Sequence, residues 1–110
     1  MKATTLGGFE ELVLLAVEAL GEGAYGVAVQ EFAEESVGRT VSLGAVYAAL
    51  DRLESKKYLN SWVEAGGTYR GGRSRRHFAT TSSGRAALHE IRRQRERMWS
   101  VIESVTRRRV

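Results

Sequence analysis

The chain contains no cysteine. Disulfides and thiolate metal sites are therefore excluded. Histidine is scarce: only His77 and His89 occur, and they read as surface residues of a strand and a helix. No apolar run approaches the roughly 18 residues a membrane span needs. The opening stretch, MKATTLGGFEELVLLAVEAL, has acidic residues inside its apolar run. It also lacks a small-residue cleavage site where a signal peptide would need one. It reads as a helix of the mature protein, and a cytoplasmic location is the expectation. Catalytic signatures are missing as well. There is no glycine-rich phosphate loop before Lys-Ser/Thr, no G-x-S-x-G and no H-E-x-x-H. The carboxylates show no obvious pairing. These absences argue against an enzyme and imply no cofactor.

What is present is ordinary in amount and uneven in distribution. The 110 residues are 43% hydrophobic and 27% charged, enough for one small unit with a modest core. The net charge is +4 and the pI near 9.9. A basic balance favours nucleic acid or an anionic surface. Few cations precede residue 70, and most arginines lie between Arg70 and Arg109.

The stretch Thr40–Leu59, TVSLGAVYAALDRLESKKYL, organises the rest. Ser42 can cap a helix by accepting a first-turn N–H. Val46, Ala49, Leu50 and Leu53 then recur at helical spacing and predict a buried stripe. The opposite face carries Gly44, Ala48, Asp51 and Ser55, with Ala45, Tyr47 and Arg52 flanking it. A face that slim can enter a major groove, and helix N-termini favour phosphates. An amphipathic helix with an alanine-rich solvent face has the same pattern, so the stretch alone leaves both readings open.

The run Ser42-Leu43-Gly44-Ala45-Val46-Tyr47, followed by Leu50 and Arg52-Leu53-Glu54, resembles the recognition-helix signature of the PadR family of winged-helix transcriptional regulators. The resemblance spans about Leu14 to Leu88. Tyr25-Gly26 matches a Tyr-Gly pair of the family. Gly72-Arg73-Ser74-Arg75-Arg76-His77-Phe78 resembles its wing-to-strand motif, with Ser74 where proline is usual. Thr81 and Gly84 fit a Leu-Thr-x-x-Gly pattern, with Thr80 in place of leucine. Lys57-Tyr58 replaces the usual Gly-Leu after the recognition helix.

The expected fold is α+β and mostly α, with a winged helix-turn-helix over residues 1–81 and one long dimerisation helix with a basic tail over 82–110. Phe9–Leu20 is apolar around most of its circumference and should be buried on more than one side. Its simplest cover is a partner subunit. Gly21 should end it. A second helix should open at Ala24-Tyr25-Gly26 and run to about Glu35, and Thr40-Val41 should form a short first strand. Asn60–Glu64 and Arg75–Ala79 should pair as strands around a glycine-rich, arginine-bearing loop. That loop has the composition of a wing lying along a sugar–phosphate backbone. The last helix should run from about Gly84 to Val105. Leu88, Ile91, Met98, Ile102 and Val105 fall on a heptad-like seam, interrupted by Arg95.

The candidate DNA contacts are Tyr25, Thr40, Ser42, Leu43, Tyr47, Arg52, Arg70, Arg73 and Arg75. Tyr25 is equally readable as a packed tyrosine. The expected partners are double-stranded DNA with a pseudo-palindromic operator and a second copy of the chain. The resemblance further implies repression, released by a planar aromatic effector. Met98, Trp99, Phe9 and Val13 are the candidate effector residues, although Trp99 could equally just fill a dimer core. The rival readings are a winged-helix module that binds protein and a non-specific DNA-compacting protein.

Overall fold

The core is assembled on one stripe from each of three short helices. The computed structural model describes residues 6–64 and 74–109. Helix α1, Gly8–Leu20, buries Val13, Leu14, Ala16 and Val17. It ends as expected at Gly21, whose φ of 58° favours glycine. A single 3-10 turn, Gly21–Gly23, leads on. Helix α2, Gly26–Val37, buries Val29 and Ala33 and stops at Gly38, φ 69°. Helix α3, Leu43–Ser55, buries Val46, Ala49, Leu50 and Leu53, the stripe its spacing predicts. Leu15 stays 44% exposed, so within one protomer α1 is covered incompletely.

Strands β1, Leu59–Glu64, and β2, Arg75–Thr80, pair antiparallel from Leu59 opposite Thr80 to Glu64 opposite Arg75. The expected strand at Thr40-Val41 does not form. Side chains of α2 take both backbone groups of Val41. Its N–H donates to Glu34 Oε2 at 2.9 Å, and its carbonyl accepts from Gln30 Nε2 at 2.8 Å. Residues 24 and 25 instead extend the sheet: the Phe78 N–H donates to the Ala24 carbonyl at 2.8 Å, and Tyr25 bridges His77.

Lys57 holds the glycine position after α3. Its φ is 69°, a left-handed conformation that a side chain makes costly. It is held there by Lys57 N–H to Glu54 O and Tyr58 N–H to Leu53 O, both 2.9 Å. After β2 the chain turns into helix α4, Ser82–Arg108. Thr81 caps it: its hydroxyl accepts the Gly84 N–H at 3.0 Å and donates to the Lys57 carbonyl at 2.8 Å.

This docking explains Gly84. A Cβ there would overlap the Tyr58 carbonyl and the Thr80 methyl. Backbone cannot swing aside as a side chain can, so Gly84→Ala is expected to destabilise the fold by about 1–3 kcal/mol. Gly44→Ala is the control, because a Cβ at Gly44 meets only the Ser42 hydroxyl at ordinary distance. Helix propensity then favours alanine by up to about 1 kcal/mol. Urea midpoints should move in opposite directions, and equal midpoints would refute the docking constraint.

Only the first half of α4 packs on the core, through Gly84, Ala87 and Ile91. Arg95 reaches back to α1, donating to both Glu11 oxygens at 3.0 and 2.6 Å. Beyond Arg95, α4 makes no ion pair or side-chain hydrogen bond to another element among the described residues. The arm therefore projects. The radius of gyration is 17.1 Å, against about 13 Å for a compact chain of this length. Among the described helices none is long and apolar enough to cross a membrane.

Candidate nucleic-acid interface

Ser42 sits at the entrance of α3 in extended backbone, and its hydroxyl accepts the Ala45 N–H at 3.2 Å. Thr40, Ser42, Gly44, Ala45, Ala48, Asp51 and Ser55 are all exposed. The slim face expected of this helix is therefore free, and Leu43 stands half-buried at its start.

Tyr47 leans from α3 across the N-terminus of α2. Its ring covers Gly26 so closely that any Cβ at Gly26 would overlap the Tyr47 hydroxyl. Tyr25, immediately before α2, lies under Arg75 of β2, whose guanidinium carbon is 4.2 Å from the ring centroid. Tyr25, Gly26, Tyr47, Ser74, Arg75 and Arg76 line one cleft of about 360 Å³ between recognition helix and wing base. Tyr25, Tyr47 and Arg75 are thus brought together from three elements. Arg70 and Arg73 lie outside the described residues.

Arg52 is placed elsewhere. Its Nε donates to Glu10 Oε2 at 2.8 Å, and Lys56 Nζ donates to Glu10 Oε1 at 2.9 Å. Glu10 itself is 8% exposed. Glu10 thus holds the recognition helix to α1. Burial pushes the Glu10 carboxyl up, but hydrogen bonds from Lys56, Arg52 and the Gly7 N–H outweigh it and hold the group below the ordinary value of 4.5. A depressed carboxyl adds stability above its unfolded pKa and loses it as pH falls through the lower folded value. Glu10→Gln is therefore expected to cost about 1 kcal/mol at pH 7, discounted because both cations are about half-exposed. The gap to wild type should close as pH drops below 4.5. A gap constant from pH 7 to pH 3 would assign the loss to packing.

Arg76 joins helix to wing. It pairs with Glu54, reaches Asp51 at 3.2 Å, and donates from Nε and Nη2 to the Ser61 hydroxyl, each at 3.2 Å. Ser61 in turn donates to Glu54 at 2.5 Å. The guanidinium also lies over Phe78, 5.0 Å from the ring centroid. This one side chain sets the wing against the recognition helix. Sequence reading missed it, since Arg76 looked like any strand residue.

His77 is likewise not a plain surface residue. Its side chain is only 12% exposed, with Nε2 at 2.6 Å from Glu64 Oε2. It stacks on Trp62 at 5.8 Å and meets Tyr25 edge-on at 5.9 Å. Of the candidate effector residues, Met98 and Trp99 stand exposed on the arm, Trp99 at 60%. Val13 does not belong with them, because it is fully enclosed in the core of its own chain. Phe9 packs half-buried against that same core.

A three-helix core, a two-stranded wing and a slim exposed helix face beside it define a winged helix-turn-helix protein with a long C-terminal arm. The chain belongs to the PadR-like family of transcriptional regulators, which matches residues 14–90. The family consists of regulators and not enzymes. The chain is similar to a PadR family regulator of Eggerthella lenta, with 27% identity and a TM-score of 0.66 over 86% of this chain and 80% of that one. A PadR family regulator of Clostridium difficile is 28% identical, with a TM-score of 0.63 over 93% and 97%. The fold also matches Bacillus subtilis PadR, solved in complex with operator DNA, at 19% identity and a TM-score of 0.62 over 74% and 46%. No curated protein sequence matches the chain.

Proposed function

We propose that the chain is a homodimeric, sequence-specific DNA-binding repressor. The observation that carries this reading is the cleft where Tyr25, Tyr47 and Arg75 meet beside the free face of α3. It sets a groove-sized helix face next to a cation on the wing strand, the pairing that reads bases and grips phosphate together. The operator complex of the Bacillus subtilis protein supports it. Dimerisation is supported by the arm, where Met98, Trp99, Val101, Ile102 and Val105 expose apolar surface over about two turns. Single apolar residues on a surface need no cover, but a contiguous stripe does.

Selection from a random duplex library tests the reading. An inverted repeat with half-sites about one helical turn apart, roughly 10 bp, is the expected product. No enrichment would favour a protein-binding module, and enrichment without sequence preference would favour a DNA-compacting protein. Release by a planar aromatic effector is part of the same proposal. Two arms meeting at Trp99 would offer indole faces to a flat or cationic ligand. In a Trp62→Phe background, titration with planar aromatic cations should quench Trp99 emission and lower DNA affinity. Unquenched emission would leave Trp99 as a core residue of the dimer.

A further inference from the structure

A second cleft lies on the opposite side of the wing sheet from the recognition helix contacts of Arg76. It encloses about 600 Å³ and is lined by Val17 and Glu18 of α1, Glu22, Trp62 and Glu64 of β1, and His77, Thr80 and Arg85 around them. From these residues we infer a binding site for a small organic cation with an apolar body, present once in each protomer and separate from the arm.

Two features carry the inference together. The first is charge: three carboxylates face one guanidinium and one imidazole. Glu18 is partly answered by Arg85 at 3.6 Å, and Glu64 by His77. Glu22 has no ion pair among the described residues. In a molecule of net charge +4, this is a local acidic surface, which selects against anions.

The second is the aromatic wall. His77 stacks on Trp62 with ring planes 14° apart, and this fixes the indole's orientation. Trp62 still keeps 49% of its surface open. An indole held in place and open to solvent can receive a cation on its face at no ordering cost. Apolar floor, fixed aromatic wall and excess carboxylate together suit an ammonium group carried on a ring or a short chain.

The site does not depend on the DNA-binding proposal, and its test needs no DNA. The probe is benzyltrimethylammonium, with benzoate and benzyl alcohol as the anionic and neutral comparisons, and the full chain carries Trp99→Phe so that Trp62 alone reports. Saturable quenching of Trp62 by benzyltrimethylammonium, and not by benzoate, is the expected result. The paired change Glu22→Gln with Glu64→Gln should weaken that binding about tenfold, the worth of one well-placed charge contact. Circular dichroism verifies that this variant is folded. Linear, non-saturating quenching, equal response to benzoate, or unchanged binding in the folded double variant would each overturn the inference. Quenching of Trp99 in the complementary background is independent of all these outcomes.

Discussion

Replacing Phe78 with alanine is expected to remove about 3–5 kcal/mol of stability, the cost of deleting a buried aromatic and leaving its cavity. Phe78 is 1% exposed in the middle of β2. It packs in the same cluster as Leu14, Leu50 and Leu59. Its backbone N–H is the hydrogen bond that fastens the sheet to residue 24, and its ring supports the Arg76 guanidinium. A domain of this size has roughly 5–15 kcal/mol in total, so much of it would go. Val63→Ala is the comparison. Val63 sits on β1 at 66% exposure, and surface changes stay within about 0.5 kcal/mol. Urea denaturation monitored by circular dichroism measures both. Similar midpoints for the two variants would mean that the sheet is not anchored through Phe78.

Replacing Arg73 and Arg75 with alanine together should flatten the salt dependence of DNA binding. Each phosphate contact contributes about 0.9 to the slope of log affinity against log salt. Two contacts per subunit make four per dimer, so the slope should fall by about 3.6. Across a fourfold rise in salt, wild type should lose roughly a hundredfold more affinity than the variant. The loss should be similar for all sequences. Changes at Ser42, Leu43 or Tyr47 should instead alter which sequences are preferred. Arg75 has a second contact, the Tyr25 ring, so Arg75→Lys separates charge from stacking geometry. Filter binding of duplex DNA over a salt series is the measurement. An unchanged slope would remove the wing from the backbone.

Local features of this fold were legible in the sequence, and long-range ones were not. The Ser42 cap, the Val46-to-Leu53 stripe and the Gly21 terminator each involve residues within one or two turns, so spacing alone reveals them. The glycine at position 26 was visible only as part of a resemblance. Its reason, the Tyr47 ring above it, comes from another helix. Glu10 looked like a solvent-facing residue because its partners stand 42 and 46 positions away. Thr40-Val41 has strand composition, but Gln30 and Glu34 claim the backbone groups that a strand partner would need. Lys57 is a local exception: hydrogen bonds to the last turn of α3 hold a glycine conformation on a residue that does not prefer it. Of the residues lining the cleft between helix and wing, Tyr25, Tyr47 and Arg75 were named from the sequence. Arg76, which sets the angle between helix and wing, was not, because its role lies in partners drawn from both elements.

The projecting arm has a mechanical consequence. The free segment runs 13 residues from Arg95 to Arg108, about 20 Å at 1.5 Å per residue. A sideways displacement of about 2 Å at its tip tilts the segment by only about 6° at its base, if it moves as a rigid rod. The base is where Arg95 is fastened to Glu11 of α1. A long lever thus turns a coarse shift at its far end into a fine rotation at the fulcrum, with force multiplied in the same ratio that distance is reduced.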